Sequence, residues 1–248
     1  VAGIATGLAA GIKLTPLIFV VFLLITRRVR AAVTAAGTFA ATIAVGAVVL
    51  PSQSRAYWPG GVFWRQDRIG NPANPADQSL AGAVARLAGT GHPAQACWLA
   101  LALVTGLAGL AVAVSAHRRG RQLAGVTYCA ITGLPISPFS WTHHWVWAVP
   151  LCLMLTSTAR RRRSPWHGLA AAAAAAVFSG FLPLPAPGNP LSPGRLLQGD
   201  LYVLCGLSVL AGAAVALARD SAARRTRTHQ AQNRTVTSNQ AGEHIHAA

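Results

Sequence analysis

The chain has 248 residues, of which 53% are hydrophobic and only 10% charged, with a mean hydropathy of +0.44; this excludes a water-soluble globular domain and calls for a lipid environment. Lys and Arg total 21 against 5 Asp and Glu, a formal charge of +16. The arginines stand in short clusters between apolar runs, the positive-inside pattern of a polytopic membrane protein, which argues against a nucleic-acid partner.

Residues 1–25 form the first apolar segment. Gly3, Gly7 and Gly11 recur every four residues, a spacing that lets membrane helices approach closely. Pro16 lacks a backbone donor, so the run Ile12-Lys13-Leu14-Thr15-Pro16 predicts a break. Lys13 is the sole lysine of the chain. It either snorkels to the nearer interface or aims a cation at a phosphate or carboxylate inside the bundle, where broken membrane helices build sites. Arg27, Arg28 and Arg30 follow, then a second span over 31–50.

Residues 52–95 are polar and carry Tyr57, Trp58, Trp64, Asp67, Asp77 and the arginines Arg55, Arg65, Arg68 and Arg86. The run Gly70-Asn71-Pro72-Ala73-Asn74-Pro75 predicts turns. Asp77-Gln78-Ser79-Leu80 predicts a helix start, with Asp77 better suited to an N-cap than to a base, and an amphipathic helix through Val84, Leu87 and Ala88 lying on the membrane surface. Asp67, between Arg65 and Arg68, suits an ion pair better than a base.

Further spans are predicted over 96–116, 123–136, 146–158, 168–182 and 201–218, giving about seven in all. Basic clusters follow at 117–121 and 160–163, and a polar, Pro-rich loop occupies 183–200. The expected fold class is all-α, a polytopic transmembrane helical bundle over 1–218, with a basic, polar, disordered cytoplasmic tail over 219–248. Cys97, Cys129, Cys152 and Cys205 lie in or beside spans without CxxC spacing and read as small buried hydrophobes.

Between the fourth and fifth spans stands Ser137-Pro138-Phe139-Ser140-Trp141-Thr142-His143-His144-Trp145-Val146-Trp147. Tryptophan suits a membrane boundary, being apolar with one N–H to satisfy. The pair His143 and His144 either hydrogen-bonds headgroups and loop carbonyls or forms a functional site, since imidazole carries protons, binds anions and ligates metals. Adjacent histidines point apart on a helix and no third ligand is evident, so no metal is expected.

With the four basic clusters in the cytoplasm, residues 52–95, 137–147 and 183–200 fall on the extracytoplasmic face, the N-terminus outside and the C-terminus inside. An external N-terminus beginning at Val1 leads us to expect one or more further spans before it. The outer face then gathers histidines, aromatic rings and arginines (Arg195 among them), a combination that suits phosphate oxygens and the C–H faces of a sugar.

Three stretches carry a family likeness: Ile12-Lys13-Leu14-Thr15-Pro16, then Asp77-Gln78-Ser79-Leu80, then Ser137-Pro138-Phe139-Ser140-Trp141-Thr142-His143-His144-Trp145. In this order they resemble glycosyltransferase family 87, the polyprenyl-phosphate-mannose-dependent alpha-1,2-mannosyltransferases, over roughly the first 160 residues. The resemblance implies a C-type glycosyltransferase bundle with an extracytoplasmic active site, a polyprenyl-phosphate sugar donor, a mannose-bearing glycolipid or glycan acceptor in the lipid bilayer, inversion at the anomeric carbon and no cofactor. It also implies an aspartate base in a first external loop, for which this sequence offers no match. His143 and His144 are the catalytic candidates; Lys13, Arg65, Arg68, Trp141 and Trp145 are the substrate-binding candidates. A transporter or lipid flippase, or an inactive remnant, is the alternative; a transporter predicts inverted repeats, and Ile12–Pro16 has no counterpart after residue 125.

Overall fold

The computed structural model describes residues 2–64, 69–180, 184–185 and 192–246. Arg65, Asp67 and Arg68 lie outside the described residues. Among those described, the chain is helical throughout, with one isolated antiparallel bridge between Asp77 and Trp141 and no strand. It falls into two compact units, Val1–Leu210 and Ala211–Ala248, and everything said below of packing and site belongs to the first.

Pro16 divides the first apolar segment into α1 (Ala2–Ile12) and α2 (Leu17–Ile25), leaving Lys13 in the turn between them. α3 spans Val29–Val49 and packs on α1. The glycine spacing explains how. A Cβ added to Gly3 or Gly7 would collide with the carbonyl oxygens of Ala31 and Ala35, and one added to Gly11 with Thr42. The two backbones are therefore in contact, as small-residue stripes allow.

α4 (Pro51–Tyr57) and a 3-10 turn (Val62–Trp64) open the polar region. The Asn-Pro run then turns twice, each asparagine side chain accepting a backbone N–H two residues on: Ala73 to Asn71 at 3.0 Å and Ala76 to Asn74 at 2.9 Å. These Asx turns deliver residues 77–79 into the interior.

α5 (Leu80–Ala88) corrects one expectation: its N-cap is Ser79, whose hydroxyl accepts the Gly82 N–H at 3.0 Å, and not Asp77. Its apolar face packs against the rest of the chain, since Leu80, Ala81, Gly82, Val84 and Ala85 are all buried. A helix of small residues packs into the bundle because little volume separates its axis from its neighbours.

α6 (His92–Arg118) and α7 (Gln122–Ile136) pair as an antiparallel hairpin. A 3-10 segment (Thr142–Trp147) leads into α8 (Ala148–Arg162), which packs on α9 (Pro165–Phe178). α10 (Pro193–Gly199) precedes α11 (Leu201–His246). Helices cover most of the described residues of the expected spans, and Val29–Val49, His92–Arg118 and Leu201–Ala223 are each long and apolar enough to cross a bilayer alone. Large apolar side chains such as Val48, Leu107 and Val149 are exposed, as lipid-facing positions require. The chain is an all-α membrane bundle. The cysteines are less uniform than expected: Cys129 is buried, Cys152 and Cys205 half-buried, and Cys97 exposed.

Candidate functional site

The three sequence stretches meet. α7 ends at Ile136, next to a Ser-Pro pair that cannot continue a helix. The Ser137 hydroxyl receives a hydrogen bond from the Thr15 hydroxyl at 3.0 Å and donates to Phe139 O at 3.0 Å, which ties the turn before α2 to the segment after α7. Residues 76–78 and 140–142 then pair through backbone hydrogen bonds, Gln78 N–H to Ser140 O at 2.7 Å and Thr142 N–H to Ala76 O at 3.2 Å.

Asp77 sits inside this pairing, fully buried. Its Oδ1 accepts the Ser140 N–H at 2.8 Å, whereas its Oδ2 is buried without a hydrogen-bond partner. Burial raises its pKa to about 6, against the opposing influence of the Ser140 N–H, the nearby Ser79 hydroxyl and the charges of Arg86 and Lys13.

Gln78 is the structural hub and is also fully buried. Its side-chain N–H groups donate to Pro75 O at 2.7 Å and Gly199 O at 2.5 Å, and its Oε1 accepts the Tyr202 N–H at 3.0 Å. One amide thus closes the end of α10 and the start of α11, where helix termini leave unpaired groups. Its backbone oxygen accepts the Trp145 Nε1–H at 3.2 Å. Arg86 braces the same loop, donating to Asn74 O at 2.8 Å and Asp77 O at 3.0 Å and pairing with Asp200.

The charged centre is built on His144. Its Nδ1 lies 2.9 Å from Lys13 Nζ and 2.9 Å from the Trp141 backbone nitrogen. Both neighbours are donors, so Nδ1 is the acceptor and the ring proton resides on Nε2. Burial, the Lys13 ammonium and His143 together push the His144 pKa down to about 4, which keeps the ring neutral at pH 7. His144 therefore offers one neutral N–H, on Nε2, which makes no hydrogen bond among the described residues. The two imidazoles do not point apart as a helix would have them. Trp145 breaks helical geometry within the 3-10 segment, and the His143 and His144 ring centroids are 4.4 Å apart.

His143 is exposed and lines an apolar cavity of about 430 Å³ with Thr142, Trp145, Val149, Phe178 and Tyr202. Trp145 is buried, stacked on Phe178 with centroids 5.5 Å apart and set edge-on to Tyr202 at 5.9 Å. Trp141 is half-buried against Phe139 at 4.7 Å. Of the residues expected from sequence, Lys13, Trp141, His143, His144 and Trp145 are thus brought together. Gln78 and Ser140 join them without having been singled out as site candidates, Asp77 is expected chiefly as a cap, and Arg86 is expected only as one of several outer-face arginines. The Asp-Gln-Ser-Leu stretch was the available signal, but a polar run before a helix reads first as a cap. No group of three or more His, Cys, Asp or Glu among the described residues is placed to hold a metal ion.

Comparison with known proteins identifies the family. The family model for glycosyltransferase family 87 matches residues 1–138. A polyprenol-phosphate-mannose-dependent alpha-(1-2)-phosphatidylinositol mannoside mannosyltransferase of Mycobacterium tuberculosis (strain ATCC 25618 / H37Rv) is 38% identical over 166 residues, covering 65% of this chain and 38% of that protein. The enzyme of the same name from Mycolicibacterium smegmatis (strain ATCC 700084 / mc(2)155) is 32% identical over 222 residues, 84% of this chain and 49% of its own length. A phosphatidylinositol pentamannoside mannosyltransferase of M. tuberculosis (strain CDC 1551 / Oshkosh) is 38% identical over 162 residues, 65% of this chain and 37% of that protein. The chain therefore spans between 37% and 49% of the length of these relatives. No solved structure matches. The chain belongs to glycosyltransferase family 87.

Proposed function

We propose that this member of glycosyltransferase family 87 transfers mannose from a polyprenyl-phosphate donor to a mannose-bearing glycolipid, of which phosphatidylinositol mannosides are the type named for its relatives. The observation that carries the reading is the hydrogen bond between Lys13 and His144, 131 residues apart in sequence. It joins two of the three stretches that carry the family likeness, and the third is paired to the same loop through Asp77 and Ser140.

In the proposed reaction an acceptor hydroxyl oxygen forms a bond to the anomeric carbon on the face opposite the phosphate. The bond from that carbon to the phosphate oxygen breaks, its electron pair leaves with polyprenyl phosphate, and the hydroxyl proton passes to a base. Negative charge grows on the departing phosphate oxygens, and donors already aimed there lower the barrier. Lys13 supplies a cation and His144 a neutral N–H at that point. His143, exposed at the mouth of the apolar cavity, is the imidazole free to meet a substrate. Asp77 is sealed from solvent and is not assigned as the base. The cytoplasmic arginine clusters support an extracytoplasmic site, with the segment from Arg219 as a cytoplasmic tail.

The test is mannosyl transfer in membranes carrying the complete reading frame that includes these residues, supplied with polyprenyl-phosphate-mannose and phosphatidylinositol mannosides. Transfer is expected, and Lys13→Met and His144→Ala should each lower it about tenfold or more. Transfer unchanged by both substitutions would reject the site, and no transfer by correctly inserted wild-type protein would reject the activity.

A further inference from the structure

Asp77 is a fully buried acid beside the site that the proposed reaction does not use, and unlike Asp200 it has no ion-pair partner among the described residues. Taking its carboxylate out of water is unfavourable, and only one of its two oxygens is hydrogen-bonded. The bond it does make is placed where it matters for His144. Oδ1 takes the Ser140 N–H, and the Asp77 backbone is bridged to Trp141, the next residue. Trp141 in turn donates its N–H to His144 Nδ1, while the His144 N–H returns to Trp141 O at 2.9 Å. This reciprocal pair resembles a capping box, with the ring nitrogen replacing a carboxylate. Gly82 lets α5 close over Asp77: a Cβ there would sit 2.5 Å from Asp77 O and 3.0 Å from its carboxylate.

We propose that Asp77 is a positioning residue for His144: by accepting the Ser140 N–H it fixes the Ser140–Trp141 backbone, and through the Trp141 N–H it holds His144 in the tautomer that presents Nε2–H to the substrate. The proposal rests on the mannosyltransferase reading for its consequence in rate, but not for its structural content. The role belongs to the acceptor oxygen and not to the charge, because an amide oxygen can take the same N–H.

Two substitutions separate these. Asp77→Asn keeps an oxygen in place of Oδ1, whereas Asp77→Ala removes it. The complete protein, labelled with 15N-histidine and held in detergent micelles, reports the tautomer through its ring nitrogen shifts, and kcat and the donor KM are measured in parallel. Wild type and Asp77→Asn should show one neutral Nε2–H tautomer for His144 and similar kcat. Asp77→Ala should mix the tautomers and lower kcat about tenfold or more, with donor KM little changed, as misplacement of a transition-state contact requires. Should Asp77→Ala not accumulate as folded protein, Asp77→Ser, whose hydroxyl is drawn back from Ser140, takes its place with the same expectation. Retention of the wild-type His144 shifts in Asp77→Ala would overturn the proposal, and so would an Asp77→Asn protein as impaired as Asp77→Ala. If the wild type transfers no mannose, the functional reading fails while the nitrogen shifts still decide this one.

Discussion

Replacing Gln78 with leucine changes little in volume but removes three side-chain hydrogen bonds from a fully buried position. Pro75 O, Gly199 O and the Tyr202 N–H lose their partner. Each orphaned buried group costs about 1–2 kcal/mol, so the gross loss is about 3–6 kcal/mol, and leucine recovers roughly 1 kcal/mol of it through its greater apolarity. For a chain of this size the net loss of about 2–5 kcal/mol corresponds to a fall in melting temperature of about 4–20 °C. Thermal unfolding in detergent, followed by intrinsic tryptophan fluorescence, measures it directly, because Trp145 donates to Gln78 O and sits in the same core. Gln78→Glu should be comparably harmful at pH 7, since a second carboxylate oxygen would face two carbonyls. A fall of less than about 2 °C for Gln78→Leu would refute the idea that this amide holds α10, α11 and the Asp77 loop together.

Lys13→Met should raise the His144 pKa from about 4 toward its ordinary 6.5, because one of the causes that lowers it is removed while burial remains; an unchanged 15N titration would reject the pairing. His144, depressed on folding, stabilises the protein fully above about pH 6.5 and loses that contribution as pH falls through about 4. Asp77 acts in the opposite sense: its raised pKa means the folded state holds the proton more tightly, so stability declines as pH rises from 3.8 to about 6 and is level above that. Asp77→Asn should remove this decline, on the order of 3 kcal/mol, and melting curves across pH 3.5–7 compare the two proteins. Gly7→Leu should prevent α1 from seating on α3, where there is no room even for a Cβ; a melting temperature and transfer rate equal to wild type would contradict that packing.

What could be read from sequence was set by local chemistry. Pro16 predicts the break between α1 and α2 because proline lacks a donor wherever it stands, and the Gly3, Gly7 and Gly11 spacing predicts a close helix contact because only backbone geometry is involved. The role of Asp77 was not legible. Its hydrogen-bond partner, Ser140, lies 63 residues away, and a local rule assigned it to a cap that Ser79 fills. The amphipathic pattern of α5 predicts a surface helix, but Arg86, which looks like its solvent-facing residue, turns its terminal nitrogens to Asn74 O, Asp77 O and Asp200 inside the fold. Amphipathicity distinguishes two faces; it does not say whether the polar one meets water or other chain. The His143 and His144 rings lie 4.4 Å apart within a 3-10 segment, whereas an α-helical reading of the sequence would set them apart.

The Lys13–His144 contact also bears on the order in which the protein can mature. A bond across 131 residues is among the last to form, because the cost of closing such a loop falls before any of its reward. During synthesis α1 and α2 emerge with Lys13 unpartnered, and its neighbour arrives only when the ribosome has extended the chain beyond Trp147. Until then a lone ammonium lies between two apolar helices, a state that favours retention of α1 and α2 near the interface. Final seating of α1 and α2 is therefore coupled to emergence of α7 and α8, and reactivity of a cysteine placed at Lys13, followed on stalled chains of increasing length, should fall abruptly at that point.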